Sequence, residues 1–150
     1  MDRGLLWPRA SGDTGRAMSQ ENLEGIKRAF EAFDRGDFDA VLALFDEDVV
    51  INQPPELPGA PPILHGHAGV LESFELWPEQ WDEYRIEMLD IRDLGSRVLV
   101  STQTFGRGKQ SGIEVEARFT FVFTLDKGKI IRWQLFLREE DALEAAGLRE

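Results

Sequence analysis

The chain contains no cysteine, and only two histidines and one tyrosine occur among its 150 residues. The absence of cysteine excludes disulfide bonds, thiolate metal sites and cysteine nucleophiles, and it fits a reducing compartment. No apolar run approaches the roughly 20 residues that a membrane-spanning helix needs, and residues 1–17 lack the apolar core of a signal peptide. The sequence therefore predicts a cytoplasmic protein that does not interact with a membrane.

Basic residues are in the minority. The 17 lysines and arginines compare with 28 aspartates and glutamates, which gives a formal net charge of −11. A surface with this balance repels a phosphate backbone, so nucleic-acid binding is not expected. The hydrophobic content of 42% is enough for one domain with a core, and the length is short for two.

The clearest pattern is a stretch of two-residue alternation from Ile113 to Arg138, interrupted at Asp126-Lys127-Gly128. Alternation of this kind predicts two long antiparallel strands that bury one face, here joined by a tight turn. A register symmetric about Lys127 predicts four facing pairs, namely Phe121 with Trp133, Phe119 with Leu135, Phe123 with Ile131, and Glu116 with Arg138.

The rest of the chain predicts the elements that cover this hairpin. Residues 1–17 show no periodicity and are predicted to be a flexible leader, so the domain is expected to span 18–150, with Ser19 capping its first helix. The later residues predict, in order, the end of that helix at Gly36, a short helix from Asp37 to Phe45, a strand over 49–51, a proline-rich loop over 54–62, a helix from Gly66 through Trp77 with Trp81 on its last turn, strands over 84–94 and 98–107, and a helix over 139–146. This order predicts an α+β fold.

Particular segments of the chain resemble the SnoaL-like (polyketide cyclase-like) domain of the nuclear-transport-factor-2-like superfamily. The resemblance extends over roughly residues 18–148 and is carried by Ala29-Phe-Glu-Ala-Phe-Asp-Arg-Gly-Asp-Phe-Asp-Ala40, His65-Gly66-His67-Ala-Gly69, Ser111-Gly-Ile-Glu-Val-Glu-Ala-Arg118, Asp126-Lys-Gly-Lys-Ile130 and Asp141-Ala-Leu-Glu-Ala-Ala-Gly-Leu148. It implies a cone-shaped, curved antiparallel sheet, covered by N-terminal helices around an apolar pocket and usually found within a homodimer.

The resemblance also implies where a ligand would bind. The apolar face of the hairpin becomes the pocket wall, formed by Phe119, Phe121, Trp133, Leu135 and Leu137, and it suits a small hydrophobic molecule. Gln53 and Gln103 are the amides expected to orient a carbonyl or hydroxyl of that ligand. The alternative is that both amides face outward into solvent. No cofactor is implied.

Ketosteroid isomerases, which are similar in fold, need a carboxylate base and two oxyanion donors in an apolar cavity. Alignment on shared landmarks places Gln53 at the base, Phe121 at the protonated acid and Ala29 at the tyrosine. None of these side chains can perform the corresponding role, so isomerase chemistry is not expected.

His65 is the one candidate catalytic residue, because an imidazole titrates near neutral pH and could act as a general base at the pocket mouth. The alternative is a histidine that only makes a local hydrogen bond. His65 and His67 would share one side of a strand and could then bind a metal ion. Gly66 and the apolar run that follows instead favour the start of a helix, so no metal site is expected.

Two functions from different classes remain open. The first is a small-molecule-binding protein of unassigned activity, with an apolar pocket that lacks the isomerase carboxylates. The second is a cyclase-, isomerase- or dehydratase-type enzyme that acts on a hydrophobic carbonyl compound by proton transfer, without a metal ion. In either case the resemblance, and the alternating charges on the outer hairpin face, predict a homodimer.

Overall fold

The computed structural model describes residues 9–54, 61–76 and 81–147, and the side chains of 20–54, 61–74 and 85–147. Most of the predicted proline-rich loop (55–60), together with Trp77 and Pro78, lies outside the described residues. The elements follow in the order α1 (Arg9–Arg35), α2 (Phe38–Leu42), β1 (Phe45–Asn52), β2 (Ile63–His65), α3 (Gly66–Leu76), β3 (Trp81–Asp93), β4 (Arg97–Gly108), β5 (Glu114–Asp126), β6 (Lys129–Phe136) and α4 (Glu139–Ala145).

The six strands form one curved, unclosed sheet in the order β2-β1-β6-β5-β4-β3. Neighbouring strands are antiparallel except β1 and β6, which run parallel. The main core lies between the concave face of this sheet and helices α1, α2 and α3. The predicted α+β class and helix-covered sheet are therefore confirmed.

Strands β5 and β6 pair in a different register from the predicted one, because of the turn that joins them. Lys127 and Gly128 have φ values of 52° and 80°, as the two central residues of a type I′ turn require. The pairing then shifts after Leu125 and Ile130, and Ile131 becomes an extra residue in a bulge. As a result Ile131 is exposed, whereas the prediction buried it.

Beyond the bulge, Phe123 faces Trp133 and Phe121 faces Leu135, so the predicted pairs are wrong by two residues. A shift of two residues leaves each side chain on its original face, because side chains alternate with a period of two. The aromatic side chains of the hairpin therefore still point into the core, as the sequence predicts.

The far end of the hairpin also differs from the prediction. The pairing of β5 with β6 ends at Thr120 and Phe136, and Arg138 lies beyond the end of β6, so the predicted pair of Glu116 and Arg138 is wrong. Val115 is 39% exposed, while Phe119 is 4% exposed. The buried face of β5 therefore begins further along the strand than its alternation predicts.

Three element boundaries also depart from the predictions. Helix α1 begins at Arg9 rather than at Ser19, so the second half of the segment 1–17 is helical. Trp81 begins strand β3 and does not end a helix. Phe45 opens strand β1, where the pattern placed it in the short helix α2. A short apolar segment fits either a helix or a strand, and tertiary packing decides between them.

Helix α3 packs closely on the sheet at Gly69. A Cβ atom at this position would lie 2.9 Å from the Cβ of Leu64 on β2, so a larger residue would push the helix away. The close approach places Ser73 and Phe74, one turn further along α3, over the concave face.

Helix α4 lies on the opposite, outer face of the sheet. Its Ala142 is fully buried against Leu99 of β4 and Val122 of β5, which form a second small core. The helix covers only part of this face, and the polar residues Gln103, Glu116 and Arg118 occupy another part. None of the helices in the described residues is long and apolar enough to cross a bilayer.

Candidate functional site

The concave face of the sheet and the covering helices enclose a cavity. The volume of this cavity is about 70 Å³, measured as the space that the centres of water molecules can occupy. The wall is built from α1, α2, α3 and every strand except β2, and its residues are Ala29, Phe30, Phe33, Val41, Phe45, Ser73, Phe74, Ile86, Thr104, Phe119, Phe121, Phe123, Ile130, Trp133 and Leu135.

Trp133 lies at the centre of the aromatic part of the wall. Its ring centroid is 5.5 Å from Phe121, 5.8 Å from Phe45, 5.9 Å from Phe123 and 6.2 Å from Phe74. The ring of Phe123 stacks on the indole, while Phe121 stands nearly perpendicular to it. These are the favoured geometries for aromatic pairs, and they hold Trp133 in one orientation.

Helix α1 closes the other side of the cavity. Ala29, Phe30 and Phe33 lie on one helix face because residues three or four apart are neighbours on a helix. The Phe33 ring packs edge-on against Phe74 of α3, with centroids 5.0 Å apart. The Phe30 ring lies 6.3 Å from Phe121 of β5. The helices and the sheet are thus joined through aromatic contacts around the cavity.

The polar groups at the wall are few and uncharged. Ser73, Thr104 and Trp133 supply the polar side-chain atoms among the lining residues, and no described lining residue is ionisable. Thr104 Oγ1 and Trp133 Nε1 are buried, and neither has a hydrogen-bond partner within the described part of the chain. A buried polar atom without a partner is unfavourable, so a partner supplied from the cavity would stabilise these two atoms.

Four of the predicted pocket residues line this cavity: Phe119, Phe121, Trp133 and Leu135. Their contact with a ligand stays a prediction. Leu137 does not line the cavity; it follows β6 and packs, partly buried, against the main core. The positions predicted for the isomerase acid and tyrosine, Phe121 and Ala29, are both at the wall.

Gln53 is buried but does not line the cavity. Its Nε2 donates a 3.0 Å hydrogen bond to the Pro61 carbonyl, and its backbone N–H donates to Pro62 at 2.9 Å. These bonds connect the end of β1 to the end of the proline-rich loop. The structure thus places Gln53 at this junction, and its contact with a ligand stays a prediction.

Gln103 also lies away from the cavity, because it points to the outer face of the sheet. There it donates a 3.0 Å hydrogen bond to Glu116 and accepts one of 3.2 Å from Arg118 Nε. The inward residue of β4 at this level is Thr104, which faces Ala117 across the β4–β5 pair. Facing residues of an antiparallel pair share one side of a sheet, and this relationship would have identified Thr104 as the inward-facing residue.

His65 lies at the end of β2, where it is exposed and does not line the cavity. His67 is in the first turn of α3, with its Nε2 atom 2.9 Å from the Phe45 carbonyl oxygen. The two histidines therefore belong to different elements, as the predicted helix start requires. Among the described residues, no group of three or more potential ligands could hold a metal ion.

The wall residues outside the hairpin could not be recognised from the sequence pattern. Phe30, Phe33, Phe45 and Phe74 come from α1, β1 and α3, and the sequence identified them only as apolar residues of those segments. Helical spacing predicts the buried face of a helix, but it does not distinguish a core position from a position at a cavity.

The curved sheet with its covering helices is a fold that several proteins of known structure share. A nuclear transport factor 2-like protein of unknown function from Burkholderia pseudomallei is similar, with a TM-score of 0.72 and 21% identity over 83% of this chain and 95% of that chain. A nuclear transport factor 2-like protein from Burkholderia xenovorans has a TM-score of 0.66 and 29% identity over 85% and 95% of the two chains. A candidate polyketide cyclase from Xanthomonas campestris has a TM-score of 0.62 and 23% identity over 85% and 97%.

The family model of the SnoaL-like domain matches residues 26–133. The chain therefore belongs to the SnoaL-like domain family. No curated protein sequence matches it.

Proposed function

We propose that this protein binds a small, mostly apolar cyclic molecule in the cavity around Trp133. The observation that supports this function is the chemistry of the wall, which is aromatic and aliphatic, with three uncharged polar residues and no ionisable residue among those described. Small-molecule sites are typically apolar cavities with a few placed polar groups. A cyclic ligand would gain both apolar burial and ring contacts there.

The size of the cavity limits the ligand. One water molecule needs about 10–15 Å³ of space measured at its centre. The 70 Å³ present exceeds this several times over, and it suits one or two fused rings. A larger ligand would require the wall to open.

The alternative is a cyclase-, isomerase- or dehydratase-type enzyme, and the similarity to a candidate polyketide cyclase favours it. Proton transfer in such a reaction needs an acid or base within hydrogen-bond reach of the substrate. The described wall offers none, and His65 lies outside it. The binding function therefore accounts better for the residues at the cavity.

A homodimer is part of this proposal. The support is the resemblance, together with the network of Gln103, Glu116 and Arg118, which lies on the outer sheet face and could pair with charges of a second copy. A cytoplasmic location likewise stays a prediction from the sequence.

Ligand binding is tested with a substitution that fills part of the cavity with a larger side chain. Indane is titrated into the wild-type protein and into Ala29→Leu, because Ala29 lies at the wall and a leucine there would occupy ligand space. The matched control is Ala68→Leu, which makes the same change at an exposed position of α3. We expect saturable calorimetric binding to the wild type and to the control, with a loss of at least tenfold in affinity for Ala29→Leu. Equal binding by all three proteins, or no saturable binding to the wild type, would contradict the proposal.

A further inference from the structure

We propose that the ligand is neutral and carries a hydrogen-bond acceptor, such as a carbonyl or ether oxygen, that receives the indole N–H of Trp133. This inference rests on the proposed function and adds the chemical group that the cavity recognises. It makes Trp133 a specificity-determining residue in addition to an apolar wall.

The indole N–H of Trp133 is a donor without a partner among the described residues. Trp133 is 6% exposed, and its Nε1 atom is buried without a hydrogen-bond partner among the described residues. An indole N–H can only donate, so its partner must be an acceptor. Buried indole N–H groups usually find such a partner, and leaving one unpaired destabilises the state that contains it.

The side chains that pack around the indole do not supply an acceptor. The rings around the indole are those of Phe45, Phe74, Phe121 and Phe123, which have no oxygen or nitrogen atom in their side chains. Trp133 lines the cavity, so an occupant whose oxygen packs against the indole edge would supply the missing acceptor.

The uncharged wall determines the charge that the acceptor can carry. A carboxylate would accept the N–H more strongly than a ketone, but no described lining residue is cationic. An anion in an apolar cavity without a counter-charge loses its hydration and gains too little in return. The acceptor is therefore a neutral oxygen on a mainly hydrocarbon ring system.

Thr104 is the competing polar group, because its Oγ1 atom is the other unpaired polar atom at the wall. Thr104 faces Ala117 on β5, whereas Trp133 faces Phe123. The two partners are six residues apart (117 to 123), or about 20 Å along the strand at its usual rise. One polar group on a small ligand does not contact both atoms, so removing the Thr104 hydroxyl leaves recognition at Trp133 intact.

The test compares 1-indanone with indane, which have the same ring system and differ in one carbonyl group. Both are titrated into the wild type, Trp133→Phe and Thr104→Val. The first substitution removes the N–H and keeps an aromatic ring, and the second removes a hydroxyl at nearly constant volume. We expect the wild type and Thr104→Val to prefer 1-indanone by about two- to tenfold, the value of one hydrogen bond, and Trp133→Phe to lose this preference.

The outcomes separate this inference from the proposed function. If the wild type binds neither compound, ligand binding in the cavity is wrong. If it binds both with equal affinity, or if Trp133→Phe keeps the preference, binding stands and the assignment to Trp133 is wrong. Loss of the preference in Thr104→Val alone would make the Thr104 hydroxyl the donor and also overturn the assignment.

A second measurement keeps the test decisive if Trp133→Phe folds poorly. The four indole N–H signals of the wild type can be followed by NMR, with Trp133 identified by elimination through Phe variants of Trp7, Trp77 and Trp81. We expect 1-indanone to move the Trp133 N–H proton signal downfield and indane to leave it without that shift. The same response to both compounds would contradict a hydrogen bond from Trp133.

Discussion

Phe121 and Trp133 pack nearly perpendicular to each other, with ring centroids 5.5 Å apart and an angle of 82° between the ring planes. They are not a facing pair of the hairpin, because Phe121 faces Leu135 and Phe123 faces Trp133. Their contact is therefore diagonal across β5 and β6, within reach of large aromatic side chains. This diagonal contact, together with the stacked Phe123, fixes the indole as part of the cavity wall.

Truncating the indole should weaken binding more than any change at His65. Trp133→Ala removes a large buried side chain, and we expect the affinity for indane to fall by roughly 1.5–3 kcal/mol. His65→Ala should change it by much less, because His65 is exposed and does not line the cavity. Isothermal titration measures both, and circular dichroism checks that each variant is folded. Unchanged binding in folded Trp133→Ala would place the ligand elsewhere.

Ketosteroid isomerase activity should be absent. No carboxylate is present at Gln53, and the side chain at Phe121 is an aromatic ring within the wall. Incubation with a β,γ-unsaturated ketone should give no increase in the ultraviolet absorbance of the conjugated product above the uncatalysed rate. Turnover by the wild type that His65→Ala abolishes would favour the enzyme over the binding protein.

The cavity should discriminate against anions in a pH-dependent way. Indane-1-carboxylic acid has an ordinary pKa near ~4, so above that pH the neutral form decreases about tenfold per unit. Because only the neutral acid suits the wall, its apparent affinity should fall about tenfold between pH 6 and pH 7. The affinity for 1-indanone should stay constant over the same interval. If the affinity for the carboxylic acid did not change with pH and equalled that for 1-indanone, a cation at the cavity would be indicated.

The segment 1–17 is proposed to be dispensable for the domain. Helix α1 begins at Arg9, yet the side chains of α1 that line the cavity start at Ala29. Deleting residues 1–17 should therefore leave the melting temperature within about two degrees of the full chain. A loss of more than ~5 °C, equivalent to over ~1 kcal/mol for a domain of this size, would show that the segment packs on the body.

The proposed homodimer should have a mass near twice the 17.0 kDa of the chain in sedimentation equilibrium at micromolar concentration. If the outer sheet face forms the interface, Arg118→Glu should weaken the dimer, because it reverses a charge on that face that would pair with an acidic group of the second copy. The control is Arg35→Glu, which reverses an exposed charge at the end of α1. A monomer at all concentrations, or equal effects of the two substitutions, would contradict this interface.

The amino-acid sequence determined which faces of the hairpin are buried, the α+β class and the family. Alternation is local information, and Phe119, Phe121 and Trp133 point inward in both the predicted and the observed register, because the two differ by two residues. Only the tertiary structure decided the register itself, through the left-handed turn at Lys127 and the bulge at Ile131.

The composition of the cavity was likewise a tertiary outcome. Phe45 and Phe74 reach the wall because β1 pairs beside β6 and α3 packs on β2 through Gly69, contacts between segments far apart in the chain. Gln103 and Thr104 are adjacent in a strand whose own alternation is weak, and only pairing with β5 decided which of them faces inward. Local pattern fixes the faces of a regular strand, whereas the side chains that meet at a cavity depend on long-range packing.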